Sequence, residues 1–215
     1  MLKCFWAETA LLENPEVFAY WLNLVNAQRR EKVLRCKQKK DKQRSLLAGV
    51  LLKKALETEG LCYEEIEFGS TKEGRPMLLS HPQLHISLSH AGDYACCLIG
   101  DAPLGVDMES LERSVFALKN EARFRTMMKK CLTEQEQKDI DCCPDTEKRK
   151  QFAEYWTKKE AYSKYTGKGL GMDFSTIDTK EKPYYSTWIS ENCCLSIYQE
   201  KEEYEELLIR QVTSL

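Results

Sequence analysis

The chain is short of several things that would narrow its chemistry at once. Among 215 residues there are only three histidines, and none of the ten cysteines stands in a C-x-x-C pair. The spacings that hold structural zinc or a thioredoxin-like redox centre are therefore missing. Long apolar runs are missing too. No uninterrupted run exceeds the six residues of 94–99, against the roughly 18–20 residues a membrane helix requires, so no membrane partner is expected. The start, Met1-Leu2-Lys3-Cys4-Phe5-Trp6-Ala7-Glu8, lacks the basic opening and apolar core of a signal peptide. Net charge is small: 32 basic side chains against 34 acidic ones give −2, which speaks against a long polyanion such as nucleic acid.

What is present describes an ordinary globule, with 42% hydrophobic and 31% charged residues and enough chain to bury a core. Six of the cysteines form adjacent pairs, Cys96-Cys97, Cys142-Cys143 and Cys193-Cys194. They read as small buried hydrophobes in a reducing cytoplasm rather than as a disulfide framework. The near-zero charge hides an asymmetry. Residues 29–44 carry nine basic and two acidic side chains, whereas residues 200–206 carry five Glu and one Lys. The basic stretch contains no Phe, Tyr or Trp, so it lacks the stacking platform of a single-strand binder. It reads either as a solvated helix face or as a local anion site.

The pattern along the chain predicts an α+β fold in two halves, residues 1–103 and 104–215. Residues 2–6 alternate as an opening strand, and Asn14-Pro15 looks like a helix start. Leu46, Leu47, Val50, Leu51 and Ala55 form the stripe of a buried helix ending near Gly60. A short strand is expected at 66–68. Residues 84–89, 94–99 and 104–109 then read as three strands of an antiparallel meander. The second half is helical, with a capping box at Thr133–Glu136 and a long helix from Thr146 to about Tyr165. Strands are expected around 175–178, 186–189 and 194–198.

Four places could carry chemistry. Period-two geometry puts Asp107 and Glu109 on one face of their strand. Two hard oxygen ligands there suit magnesium, or they line a solvated strand edge. Trp156, Glu160 and Lys164 lie one helical turn apart, where Glu160 and Lys164 could also be a plain surface pair. Ser89-His90 meets a turn with Gly92, suited to a phosphate or to local capping. A Ser-His-Asp hydrolase lacks its G-x-S-x-G elbow. In the basic stretch, Arg29, Lys32 and Arg44 could grip a terminal phosphate.

These pieces in this order resemble the Sfp-type 4'-phosphopantetheinyl transferases. The motifs are Gly74-Arg75-Pro76, Ser87-Leu88-Ser89-His90, Gly105-Val106-Asp107-Met108-Glu109, and Trp156-Thr157-Lys158-Lys159-Glu160-Ala161-Tyr162-Ser163-Lys164 followed by Gly167-Lys168-Gly169-Leu170. Arg29-Arg30-Glu31-Lys32 and Arg44-Ser45-Leu46-Leu47 match the family's N-terminal pattern more loosely. The chain departs at Ser87, where the family has Asn, and at Ala91, where it has Ser. A family glutamate falls at Glu136 after Leu132 in place of an aromatic, and its catalytic role competes with the capping box.

The resemblance implies transfer of the phosphopantetheine arm of coenzyme A to a serine of an apo acyl or peptidyl carrier protein, with adenosine 3',5'-bisphosphate released. It implies magnesium on Asp107, Glu109 and Glu160. Glu160 would take the serine proton, directly or through a bound water, and Lys164 would stabilise the leaving phosphate. His90 with Ser89, Arg29, Lys32 and Arg44 would hold the 3'-phosphate, and Gly74, Arg75 and Pro76 would flank the adenine. Two similar tandem α+β halves, a monomer and a cytoplasmic location go with it. The alternative is a coenzyme A or carrier binding protein without transfer.

Overall fold

The computed structural model of the chain describes residues 2–112, 121–200 and 207–215. The acidic run at 200–206 lies, beyond Glu200, outside the described residues. In chain order the elements are β1 (Leu2–Glu8), α1 (Pro15–Leu24), α2 (Ala27–Arg35), α3 (Lys39–Thr58), β2 (Phe68–Ser70), β3 (Pro76–Leu78), β4 (His85–Ala91), β5 (Tyr94–Gly100), β6 (Gly105–Ser110), α4 (Glu121–Cys131), α5 (Glu134–Cys142), α6 (Lys148–Thr166), β7 (Tyr184–Ser190), β8 (Cys193–Tyr198) and β9 (Leu207–Gln211). They fall into two compact units, Met1–Pro103 with Glu205–Leu215, and Leu104–Tyr204. The architecture is α+β, with one long helix on a mainly antiparallel sheet in each unit.

In the first unit the sheet runs β4-β5-β1-β9, and α3 packs against β1, β4 and β5. Asn14 caps α1, its Oδ1 accepting from the Glu16 amide at 2.8 Å, and Pro15 supplies the first turn. Asn26 caps α2 the same way, through the Arg29 amide at 2.8 Å. The expected stripe of α3 is buried, with Leu46, Leu47, Val50, Leu51 and Ala55 all sealed from solvent. Its chain leaves through Gly60 at φ 74°, a conformation glycine adopts without strain.

The second unit holds the sheet β6-β8-β7, covered by α6 on β6 and β8. A core of Phe124, Met128, Leu132, Ile140, Phe152, Ala153 and Tyr155 joins α4, α5 and α6. The Thr133–Glu136 capping box is formed.

Several expectations are corrected. The strand at 104–109 exists as β6 but does not continue the β4–β5 hairpin. Both edges of β5 are already used, by β4 and by β1, and β6 pairs with β8 instead. Residues 104–215 do not stay together either. β9 adds to β1 in parallel, with Leu2 opposite Leu207 and Trp6 opposite Gln211. The strand expected at 66–68 starts at Phe68, after a 3₁₀ turn over Tyr63–Glu65. The one expected at 175–178 is a 3₁₀ turn over Phe174–Thr176, because the Asp173 side chain captures the Ser175 amide at 3.0 Å. All ten cysteines are free thiols, but only Cys4, Cys96, Cys97, Cys193 and Cys194 are fully buried.

Candidate active site

In the second unit the site starts from strand alternation. Asp107 lies opposite Ser196 and Glu109 opposite Cys194 across the β6–β8 pair, so all four side chains share a face. Helix α6 covers that face. Thr157 Oγ1 is 2.7 Å from Ser196 Oγ and 3.6 Å from Cys194 Sγ. Two residues before Asp107 the helix comes closer still. A Cβ on Gly105 would sit 2.0 Å from the Ala161 carbonyl oxygen and 2.7 Å from the Tyr165 nitrogen. Only glycine permits this approach.

The helix therefore presses a charged set against the strand. Asp107 is 6% exposed and Glu109 2%. Lys164 Nζ donates to Asp107 Oδ1 at 2.7 Å and to the Val106 carbonyl at 2.9 Å. Glu109 Oε1 accepts the Ser110 amide at 3.0 Å. Glu160, half-buried, stands one turn before Lys164 on α6. Among the described residues, no three His, Cys, Asp or Glu side chains stand close enough to hold a metal ion. Asp107 has the Lys164 ammonium beside it in this structure.

In the first unit, Gly74 turns the β2–β3 hairpin at φ 85°. The Thr71 amide donates to the Arg75 carbonyl at 2.9 Å and the Gly74 amide to the Thr71 carbonyl at 3.0 Å; Pro76 opens β3. On β4, Ser89 is buried and His90 exposed, just before the turn at Gly92. The first turns of α3 hold that turn. Arg44 Nη1 donates to the Gly92 carbonyl at 2.8 Å, its Nη2 pairs with Asp41, and Lys40 Nζ reaches Asp93 at 2.8 Å. Arg44 Nε and the neighbouring Ser45 Oγ are buried with no hydrogen-bond partner. One turn on, at Gly49, an added Cβ would lie 2.7 Å from Arg29 Cγ, so the Arg29 stem runs over the same face of α3. Burial lowers the Arg29 pKa, and the groups that oppose this are the Tyr63 hydroxyl and the Cys97 thiol, not a carboxylate. Lys32 is exposed on α2.

Comparison with known proteins decides the family. A model of the 4'-phosphopantetheinyl transferase superfamily matches residues 103–209, and one of the 4'-phosphopantetheinyl transferase N-terminal region matches residues 13–101. The chain belongs to the 4'-phosphopantetheinyl transferase superfamily. It is 27% identical to a 4'-phosphopantetheinyl transferase of Bacillus subtilis over 187 residues, 84% of this chain and 80% of the relative. It is 30% identical to the transferase psf-1 of Bacillus pumilus over 141 residues, 65% and 57% of the two chains. It is 25% identical to Sfp of Bacillus subtilis strain 168 over 161 residues, 74% and 68%.

Within this transferase, three residues escaped sequence reasoning. Gly105 was legible only as part of a motif, and its reason is the helix contact. Ser45 carries no signal beyond standing after Arg44, because an orphaned hydroxyl is visible only in three dimensions. Lys159 looks like one more surface lysine in a basic helix, yet it is wholly buried. Its Nζ meets Glu136 Oε2 at 2.5 Å and the Phe174 carbonyl at 2.8 Å. Glu136 also accepts from Thr179 and from the Thr133 amide, so it joins segments within the second unit.

Proposed function

We propose that the protein transfers the 4'-phosphopantetheine arm of coenzyme A to a serine hydroxyl of an apo carrier protein. The observation that carries this reading is the buried charged set under α6, where Lys164 stands 2.7 Å from Asp107 and Glu160 lies one turn away. Glu160 takes the serine proton as the hydroxyl oxygen attacks the phosphorus that bears pantetheine. The new P–O bond forms as the bond between the two phosphates breaks, and adenosine 3',5'-bisphosphate leaves. Lys164 stabilises the charge that gathers on the departing phosphate.

Asp107, Glu109 and Glu160 fit magnesium in donor type, being hard oxygens of which two are buried on one strand face. Bound there, the ion would offset pyrophosphate charge. The first unit fits the other end of coenzyme A. Arg44 Nε and Ser45 Oγ lack partners, Arg29 lies against the same helix face, and a phosphate satisfies such groups. With Lys32, Ser89 and His90 they would hold the 3'-phosphate, while Gly74, Arg75 and Pro76 would flank the adenine. A monomer in the cytoplasm, acting on an acyl or peptidyl carrier, completes the reading.

The test incubates the protein with coenzyme A, magnesium and an apo carrier protein, and weighs the carrier. A phosphopantetheine mass gain is expected. Asp107→Ala and Glu160→Ala should each lower turnover by at least about 100-fold with the melting temperature little changed. Absence of mass gain from the wild type, in conditions where a known transferase works, overturns the reading.

A further inference from the structure

On the side of α6 away from the sheet, two carboxylates of α5 each bridge that helix to residues 179–180. Glu136 Oε2 takes the Lys159 ammonium at 2.5 Å, and its Oε1 takes the Thr179 hydroxyl at 2.7 Å. Three residues on, Asp139 Oδ2 takes the Tyr155 hydroxyl at 2.8 Å and the Lys180 ammonium at 2.6 Å. Each carboxylate thus joins one α6 residue to one residue of the 179–180 segment. Two attachments a turn apart on both helices fix the rotation of α6 as well as its distance. We propose that α5 is the positioning element for Glu160, with Glu136 and Asp139 as its two contact points. This deepens the transferase reading and rests on it.

Helical geometry gives the reason. At about 100° per residue, Thr157, Ala161 and Lys164 point to the sheet, and Tyr155 and Lys159 point the opposite way. Glu160 falls on the flank between them. A flank side chain is the one that rotation about the helix axis carries toward or away from the sheet. A turn of about 10°, at about 6 Å from the axis, moves it by about 1 Å. A misplacement of that size can lower a rate by about 100-fold.

Stability alone is a poor reason for this arrangement. Lys159 and Glu136 are both fully buried. Desolvation of such a pair consumes most of the attraction it gains, and an uncharged pair of similar volume often serves as well. A buried pair next to the proposed base does something an apolar contact does not: its directional bonds fix an angle.

The experiment uses Glu136→Gln combined with Lys159→Met, which leaves no buried unpaired ion, and separately Tyr155→Phe, which removes one hydroxyl. Both are expected to melt near the wild type. Their kcat should fall about tenfold or more while KM for coenzyme A stays within about twofold. A merely structural contact would lower the melting temperature and leave kcat unchanged in the folded protein. Wild-type kcat in the folded double variant overturns the proposal. Should that variant not fold, wild-type kcat in Tyr155→Phe overturns it by itself. A crystal structure of each variant reads the rotation of α6 without turnover, and an unrotated helix also overturns it. Absence of transfer by the wild type would instead remove the transferase reading, with the helix rotation still deciding this one.

Discussion

At Gly105 any side chain collides with backbone rather than with a movable side-chain end. The Ala161 carbonyl oxygen would lie 2.0 Å from the new Cβ, so α6 as a whole would have to shift. Gly105→Ala is expected to lower stability by at least about 2 kcal/mol, measured as the denaturant midpoint at constant slope. Ser45 predicts the opposite sign. A buried hydroxyl with no partner destabilises the free protein, and replacing it by an apolar group removes that penalty. Ser45→Ala should melt higher than the wild type yet show a raised KM for coenzyme A, a trade expected where a site is built for a ligand rather than for rest. Thermal melts and steady-state kinetics on the same preparation check both halves. An unchanged KM would remove Ser45 from the phosphate site.

Elements were legible where one local rule decided them. The Asn-Pro start of α1, the stripe of α3 and the capping box of α5 each follow from a few adjacent residues, and the structure has all three. What failed was pairing. The pattern of β6 is a good strand, but nothing local says that β1 has already taken the free edge of β5. Asp107 and Glu109 were legible by period two. Their contact with Lys164 was not, because 57 residues separate Asp107 from its partner. Electrostatics between elements can be read through pH. Lys53 on α3 holds Glu64, in the 3₁₀ turn before β2, at 2.7 Å. The Lys53 hydrogen bond, with help from Glu64's own backbone and Cys62, lowers the Glu64 pKa from 4.5 to about 2. A depressed carboxylate pKa adds stability above its ordinary value, and that stability is lost as pH falls through the folded one. Glu64→Gln should therefore melt below the wild type at pH 7. The gap should close between pH 4.5 and 2. A gap that persisted at pH 2 would mean the carboxylate acts other than by charge.

On the scale of the whole molecule, the two units are not two consecutive stretches of chain. Val212 donates its amide to the Trp6 carbonyl at 2.8 Å, and Val212 and Leu215 pack on the core that α3 and β5 share. Deleting residues 207–215 should strip β1 of its parallel neighbour while leaving the β6-β8-β7 sheet complete. Hydrogen exchange read by mass spectrometry should then show lost protection in β1 and retained protection in β8. Equal protection of β1 in both forms would show that β9 adds nothing to it. Among the described residues no helix is long and apolar enough to cross a membrane.

The return of β9 also sets a timetable. A chain leaving the ribosome exposes β1, β4 and β5 early, and domains generally fold as they emerge. Here the first sheet must wait with one edge of β1 open until more than a hundred further residues, those of the second unit, have been made. An open strand edge is a template for wrong partners. The first unit is therefore finished only after the second has been made, and in that interval the open edge of β1 needs protection from its neighbours.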